Sequence, residues 1–441
     1  MELNNDVMKA VESLDYRVTV GDVAARSGLN VEVAQQGLLA LASETQGHMQ
    51  VSEAGEIAYE FSRNFRGVLR NKYWQLRLQE LAAKVWRVAF YLIRVSFGVV
   101  LMLSIAIITI AIFALMIAAS SQGGSQGDRN DRRGGFGGGF GISPFNFFYL
   151  FNFNQGRGRR RYPNSSVGGQ KGSVPSGEKL PFLEAIFSFL FGDPDPNADL
   201  DKRRWSTIGN VITNNGGALA AEQVIPYLDD LGSGSDKEYE DYMLPVLTRF
   251  NGQPEVSPKG EMVYYFPELQ VSAIQRGTAA VSAYLKETNR KFTQATSDQV
   301  MISIGLGSAN IIGALVLSNM LSSVPAGAAL PAVVVFAQSI LGLLLAYGVA
   351  FLVIPLVRYY WVKRQNAQIE RRNQERQLRA ESVNQLGASF KEKLAFARQF
   401  AAQKVLKSED VVYDTESDLA EQERDRDAQL EADFRRRLNE T

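Results

Sequence analysis

The sequence predicts a mainly α-helical protein that is integral to a membrane. Residues 95–119 are apolar and carry no charge, and a second uncharged tract covers residues 299–357. The turn sequence SSVPAGAALP divides this second tract, so we predict a transmembrane hairpin of residues 300–320 and 332–356. Each of the three segments is long enough to cross a hydrocarbon core of about 30 Å.

Basic and aromatic residues flank these segments, as is typical of membrane interfaces. The hairpin follows Arg290 and Lys291, precedes further basic residues and has no charge in its turn. The positive-inside rule therefore predicts that both hairpin ends lie on the cytoplasmic side, together with residues 200–270 and 358–441. The first segment has basic residues on both sides, which leaves the side of residues 1–62 open.

Small residues recur every four positions in both hairpin segments, which allows helix backbones to approach closely. Asn310 and Gln338 are isolated polar residues at membrane depth, and we expect them to form hydrogen bonds between helices. A transport pathway is the alternative role for these two side chains. The residues predicted to pack helix against helix are Gly305, Ala309, Gly313, Gly342, Ala346 and Ala350.

The chain contains the same short motif twice. VSEAGEIAYEF at residues 51–61 returns as VSPKGEMVYYF at residues 256–266, and the alignment extends back to Val31 and Asp236 without a gap. Each copy predicts two short strands around a glycine turn, because glycine permits the backbone conformation that a tight turn needs.

Three predicted helices precede the first hairpin, with Thr19 and Asn30 as N-caps of the second and third. Helices followed by a β-hairpin are typical of a winged-helix module. We therefore predict one such module over residues 1–62 (module 1) and another over residues 200–270 (module 2).

The charge of both modules disfavours DNA as a ligand. Residues 1–60 contain three basic and ten acidic residues, and residues 201–268 contain six basic and eleven acidic residues. Duplex binding depends on Lys and Arg that neutralise phosphates, so protein contacts are the preferred interpretation. The predicted interaction surface uses the third helix of module 1 and both hairpins, namely Gln35, Gln36, Tyr59, Phe61, Tyr264, Tyr265 and Phe266.

Five further segments complete the predicted organisation. They are a basic amphipathic helix beside the membrane (63–94), a Gly/Arg/Phe-rich flexible linker (120–179), an interfacial amphipathic helix (180–192), a connecting helix (271–298) and a charged helical tail (358–441). The linker composition resembles RNA-binding RGG segments, so contact with RNA is an alternative to a tether beside anionic lipid. An apolar stripe along residues 390–401 predicts that the tail packs on the modules or on a partner.

Composition excludes several kinds of chemistry. The chain has no Cys and a single His, His48, which removes disulfides, thiolate metal sites and multi-histidine metal sites. No nucleophile lies beside a base in a recognisable motif. We therefore expect no catalytic residue, no cofactor and no metal.

Three stretches resemble an uncharacterised membrane-protein family of cyanobacteria and chloroplast envelopes, namely PFLEAIFSFLFGDPDPN, ITNNGGALAAEQVIPYLD and LPVLTRFNGQPEVSPKGEMVYYFPELQ. Plant members of that family carry a loose label of iron–sulfur cluster biosynthesis. The resemblance implies a location in a bacterial inner, thylakoid or chloroplast-envelope membrane. Because the chain lacks Cys, it cannot ligate a cluster through thiolates.

Taken together, these features favour a non-enzymatic, membrane-anchored scaffold or adaptor that recruits proteins during membrane biogenesis. The expected partners are soluble proteins, membrane lipid and a second copy of the chain. A membrane-tethered winged-helix transcription regulator is the alternative, and a transporter component is the third hypothesis.

Overall fold

The computed structural model describes residues 3–72, 74–122, 181–232, 239–275, 277–325 and 327–416, and parts of 418–436. Nearly all of the predicted linker lies outside these residues. The chain forms two compact units. Unit 1 comprises Met1–Lys84, Asp195–Arg290 and Arg364–Thr441, and unit 2 comprises Val85–Pro194 and Lys291–Lys363.

Unit 1 begins with the elements of module 1. These are α1 (Asn5–Ser13), β1 (Arg17–Thr19), α2 (Val20–Ser27), α3 (Val31–Thr45), β2 (His48–Ser52) and β3 (Ile57–Glu60), followed by α4 (Phe65–Lys72). Thr19 and Asp22 form a capping box on α2, and Asn30 accepts the N–H of Glu32 at the start of α3, as the sequence predicts. β3 pairs antiparallel with both β1 and β2.

Module 2 has the same order of strands and a related order of helices. It contains α7 (Leu200–Asn214), β4 (Ala218–Leu219), 3-10 turns (Ala221–Gln223, Ile225–Tyr227 and Asp241–Met243), α8 (Leu244–Phe250), β5 (Gln253–Val256) and β6 (Met262–Tyr265). Single 3-10 turns therefore stand where module 1 has α2. The strand order β4-β6-β5 matches the order β1-β3-β2 of module 1.

The two modules share one hydrophobic core within unit 1. Helix α2 packs on α7 with glycine at the points of closest approach. A Cβ added to Gly209 would lie 2.7 Å from Ala25 Cα, and one added to Gly28 would lie 2.8 Å from Trp205 Cβ. Arg249 of α8 donates a hydrogen bond to the Gly28 carbonyl and lies 4.2 Å from the Trp205 ring centroid. The repeats therefore form a single body.

The predicted connecting helix at 271–298 is wrong. β7 (Val271–Ser272) is followed by an extended segment (residues 277–290) without helix or strand. In this segment, four residues each form hydrogen bonds through both their backbone N–H and C=O to one asparagine side chain. These backbone groups are therefore not available for the hydrogen bonds of a helix. The pairs are Asn214 with Ala279, Asn373 with Glu287, Asn197 with Thr288 and Asn366 with Arg290.

The predicted helical tail is interrupted by two strands, and the described residues between 422 and 436 are helical again. Helix α11 (Leu341–Asn384) and helix α12 (Ala388–Ala397) are followed by β8 (Lys404–Val405) and β9 (Val411–Asp414). β8 pairs parallel with β7, and β9 pairs antiparallel with β2. The β-branched VVYD sequence of β9 favours a strand once a sheet edge is available, and local sequence alone does not reveal that edge.

Unit 2 contains most of the apolar helices. Its elements are the greater part of α5 (Trp74–Gln122), α6 (Phe182–Phe191), α9 (Ser297–Ser322), α10 (Ala332–Ser339) and the first part of α11. Among the described residues, three helical stretches are long and apolar enough to cross a membrane, namely Lys84–Ala119, Ser297–Ser322 and Leu341–Asn384. The predicted segment 332–356 is interrupted at Ile340, between α10 and α11.

Asn310 joins three of these helices, as the sequence predicts. Its fully buried side chain accepts a hydrogen bond from Ser104 of α5 and donates one, 3.1 Å long, to the Leu344 carbonyl of α11. Gln338, by contrast, is exposed. A buried amide with partners on two other helices fixes which face of α9 points inward.

The predicted rows of small residues lie partly on the wrong face. A Cβ added to Gly307 would lie 2.6 Å from the Phe351 ring, and one added to Gly348 would lie 2.7 Å from Asn310. Gly307 shares the inward face with Asn310 because three residues nearly complete a helical turn. Of the residues predicted to pack, Gly313 contacts Ile108 and Ala309 and Ala350 are half-buried, whereas Gly305, Gly342 and Ala346 point outward.

Helix α6 packs on the apolar helices of unit 2. Its buried residues Ile186, Phe189 and Leu190 form a cluster with Leu101 of α5 and Leu306 of α9. Helix packing within unit 2 buries its apolar stripe, which accounts for the amphipathic pattern.

Candidate functional site

The two hairpins have the same turn, at an offset of 205 residues. Gly55 N–H donates to the Ser52 carbonyl at 2.9 Å, and Gly260 N–H donates to the Ser257 carbonyl at 2.9 Å. The two glycines have φ of 82° and 84°, a region that favours glycine. The gapless alignment of the repeat is therefore visible in the backbone hydrogen bonds.

Four of the predicted interaction residues lie in the core. Tyr59, Phe61, Tyr264 and Phe266 are each at most 4% exposed. Residues two apart on a strand face the same side, so each aromatic pair points inward together. These four residues cannot contact a partner in this structure, and that part of the predicted surface is wrong.

Glycines opposite the buried phenylalanines make room for the rings. A Cβ added to Gly47 would lie 2.8 Å from the Phe61 ring, and one added to Gly252 would lie still closer to the Phe266 ring. No local pattern marks these two glycines, although the gapless alignment of the repeat places them at equivalent positions.

The C-terminal part of the chain covers both hairpins. In module 1, β9 extends the sheet, with Val51 opposite Tyr413. In module 2, α12 packs on β4 and β6, and Phe400 stacks on Tyr265 with ring centroids 5.7 Å apart. The predicted packing of the tail on the modules is thus present, and Tyr265 is only half-exposed.

The outer face of α3 stays open in unit 1. Gln35 and Gln36 are exposed, and the apolar side chains Val33 and Leu39 are 41% and 40% exposed. Helix α3 contains no Lys or Arg, and Glu32 is exposed at its start. Its outer face (residues 32, 33, 35, 36 and 39) therefore combines two apolar side chains, two amides and one carboxylate.

A buried ion cluster holds α11 to the extended segment within unit 1. Arg376 is 2% exposed and pairs with Glu287, itself 4% exposed, at 2.9 Å and with Asp229. Arg372 donates two hydrogen bonds to Glu287, of 2.7 and 2.6 Å. Burial acts to raise the pKa of Glu287, but the hydrogen bonds and charges of both arginines outweigh it and lower that pKa.

A second buried cluster holds α12 to module 2. The buried Lys393 ammonium lies 2.9 Å from Glu222 and 2.7 Å from Glu240, and the Tyr264 hydroxyl donates to Glu240 at 2.8 Å. Burial acts to lower the pKa of Lys393, yet the hydrogen bonds that its ammonium donates to both carboxylates, together with their charges, outweigh burial and raise that pKa. Burial and the Glu240 charge also raise the pKa of Tyr264. These charges stabilise a docked helix and show no arrangement for catalysis.

Among the described residues, one group of side chains offers ligand atoms to a cation. His48, Asp414 and Glu416 place one such atom each within 4.8 Å of one another. Both Asp414 oxygens already accept hydrogen bonds, from Gln50 and from the Glu416 N–H, and Glu416 is exposed. Exposure and the existing hydrogen bonds leave this group without the features of a built metal site.

These observations define a mainly helical protein with three helices able to cross a membrane among its described residues and with small antiparallel sheets. The chain is 35% identical over 435 residues to the uncharacterized chloroplastic protein At5g03900 of Arabidopsis thaliana, covering 96% of this chain and 80% of the plant protein. It therefore belongs to the family of that protein, which agrees with the chloroplast resemblance predicted above. No protein-family model and no solved structure matches the chain.

Proposed function

We propose that the protein is a membrane-anchored adaptor that binds protein partners through the outer face of α3. The observation that carries this proposal is the contrast between surfaces in unit 1. The chain's own C-terminal part pairs with β2 of module 1 and packs on β6 of module 2, whereas the outer face of α3 is open. Exposed Val33 and Leu39 supply apolar area, and Gln35 and Gln36 supply hydrogen-bonding groups, a mixture that suits a protein interface.

Both modules are winged helices in this proposal. The order of α1, β1, α2, α3, β2 and β3 supports this for module 1, and the matching strand order supports it for module 2. In module 2 the 3-10 turns replace the second helix, which makes it the more divergent copy.

The two modules lie on the same side of the membrane in this proposal, together with the hairpin ends. Their shared core supports this, because packed side chains cannot be separated by a bilayer. Helix α6 also returns the chain to the N-terminal half of α5, because Leu183 of α6 lies against Gly98 of α5. Basic flanks favour the cytoplasmic or stromal side, in a chloroplast-envelope, thylakoid or bacterial inner membrane.

The alternatives have less support. A DNA-binding regulator would need cations on α3 and an accessible hairpin, and α3 has no Lys or Arg while the hairpins are covered. A transporter component would use Asn310 in its pathway, and this side chain is fully buried between helices. Contact with RNA rests on the linker, which lies outside the described residues.

The adaptor proposal is tested by photo-crosslinking in native membranes. A photoreactive amino acid at Gln36 is expected to yield a discrete protein adduct, which Val33→Asp removes. The matched control is Gln374, an exposed glutamine on α11. If Gln36 gives the same adducts as Gln374, or if Val33→Asp changes nothing, the outer face of α3 is not the binding surface.

A further inference from the structure

A cavity of about 440 Å³ opens in unit 1 where module 1, module 2 and the extended segment meet. Cationic side chains from three elements line it. Arg26 comes from the last turn of α2, Lys202 and Arg203 from the first turn of α7, and Lys286 from the extended segment. Its volume falls within the range of small-molecule sites.

The charge of this cavity is opposite to that of the modules around it. Four cations face a single lining carboxylate, Asp199, although acidic residues outnumber basic ones in both modules. Arg203 pairs with Asp199 at 3.1 Å, and Lys202 pairs with Asp6 of α1. Within the described residues, no carboxylate forms an ion pair with Arg26 or Lys286, so two positive charges in this cavity remain without an acidic partner.

The N-terminus of α7 adds to this positive potential. Asp199 is its N-cap residue, but its side chain makes no capping hydrogen bond and instead pairs with Arg203. An uncapped helix start carries a partial positive charge and N–H groups suited to anions. The helix start and the cationic side chains belong to one cavity, and their positive potential, offset in part by Asp201 in the first turn, favours an anion.

We propose that this cavity binds a small phosphate-bearing anion, with Arg26 and Lys286 as its principal contacts. A guanidinium can bind two phosphate oxygens at once, and an ammonium adds a point charge. Because the contacts come from both modules and the extended segment, a bound anion stabilises their association by mass action. The phosphate belongs either to a soluble metabolite or to a lipid headgroup, and this site is independent of the outer face of α3.

The test is calorimetric titration of the full chain in detergent with inorganic pyrophosphate, and separately with dihexanoyl phosphatidylglycerol below its micelle concentration. The double variant Arg26→Ala/Lys286→Ala removes two exposed cations without opening the core. The control is Lys391→Ala/Arg398→Ala, which removes two exposed charges, one from α12 and one from its C-cap.

We expect saturable binding that weakens as salt rises, is kept in the control and is roughly tenfold or more weaker in the cavity variant. Binding of pyrophosphate alone identifies a soluble phosphate as the source, and binding of the lipid alone identifies a headgroup. Absence of binding by both probes would overturn the proposal, as would equal affinity in the wild type and both variants. A thermal midpoint that rises with ligand in the wild type and the control, but not in the cavity variant, gives a second readout.

Discussion

Module 1 and module 2 share a hairpin but differ in what covers it and in what stays open. In module 1, β9 adds a fourth strand to the sheet. In module 2, α12 packs on the hairpin and buried Lys393 holds it there. The third helix differs too, because α3 has 15 residues and an open face, whereas α8 has 7 residues.

Comparison of the two modules shows which features depend on the repeated motif and which depend on the segments that pack around it. The motif encodes a turn, two strands and inward aromatic residues, and these features recur at a constant offset. The segments that pack on each copy determine which of its surfaces stays exposed. The outer face of α3 is exposed in module 1, and buried charges hold α12 on module 2.

The largest expected effect comes from the ion cluster beside module 2. Arg376→Met leaves Glu287 buried with fewer partners, and losing one member of a buried pair costs about 3–5 kcal/mol. Arg372 retains its hydrogen bonds to Glu287, which places the expected value at the low end. Denaturant unfolding of the full chain in detergent measures the loss. Arg371→Met, on the exposed side of α11, is the control and should change stability by less than about 0.5 kcal/mol.

Lys393→Met should loosen module 2 while leaving module 1 unchanged. It leaves Glu222 and Glu240 without their shared cation, at a cost of about 2–4 kcal/mol because both carboxylates keep some contact with water. Hydrogen exchange is expected to rise in α12 and to stay constant in β9. A similar rise in both would show that the two coverings form one cooperative unit.

The same lysine gives a pH dependence with a definite sign. Its folded-state pKa is raised, so its stabilising contribution is fully present below the unfolded pKa of about 10.4 and is lost as pH rises through the folded value. Wild-type exchange in α12 should therefore increase at alkaline pH beyond the intrinsic rate. Lys393→Met should lack this extra increase, and its persistence would assign the effect to another group.

Paired glycine substitutions compare the two hairpins directly. Gly252→Ala and Gly47→Ala each push a Cβ into a buried phenylalanine ring, at a cost of about 1–3 kcal/mol. The closer ring makes Gly252→Ala the more damaging of the two. Thermal unfolding midpoints of the two variants rank them, and the reverse order would contradict the packing described for the repeats.

The smallest effect should be equal in both modules. Gly55→Ala and Gly260→Ala meet no atom within 4 Å but force alanine into a left-handed conformation, which costs about 1 kcal/mol. Equal shifts of the thermal midpoint would confirm that the turns are equivalent. Unequal shifts would show that the covering segments change the turns themselves.

Local signals predicted the features that depend on neighbouring residues. Thr19 and Asn30 cap helices as expected, because capping needs a donor only two or three residues away. The hairpin repeat and the three apolar helices follow from short patterns as well. Asn310 was identifiable because a buried amide among apolar residues needs a partner.

Long-range contacts account for the features that sequence analysis missed. The extended segment is held by asparagines up to 91 residues away, such as Asn197 on Thr288 and Asn373 on Glu287, and no local pattern marks these pairs. β9 forms only because the edge of β2 is available, about 360 residues earlier in the chain. The inward direction of Tyr59 and Tyr264 likewise depends on which face of each sheet meets the shared core.

The most direct test of the account asks whether both repeats face the same compartment. The chain has no Cys, so single cysteines at Glu53 and at Pro258 report without background. These equivalent, exposed positions lie in the two hairpin turns. In sealed vesicles of either orientation, a membrane-impermeant maleimide should modify both cysteines or neither. Labelling of one site from outside while the other is reached only after the membrane is opened would contradict a single two-module body.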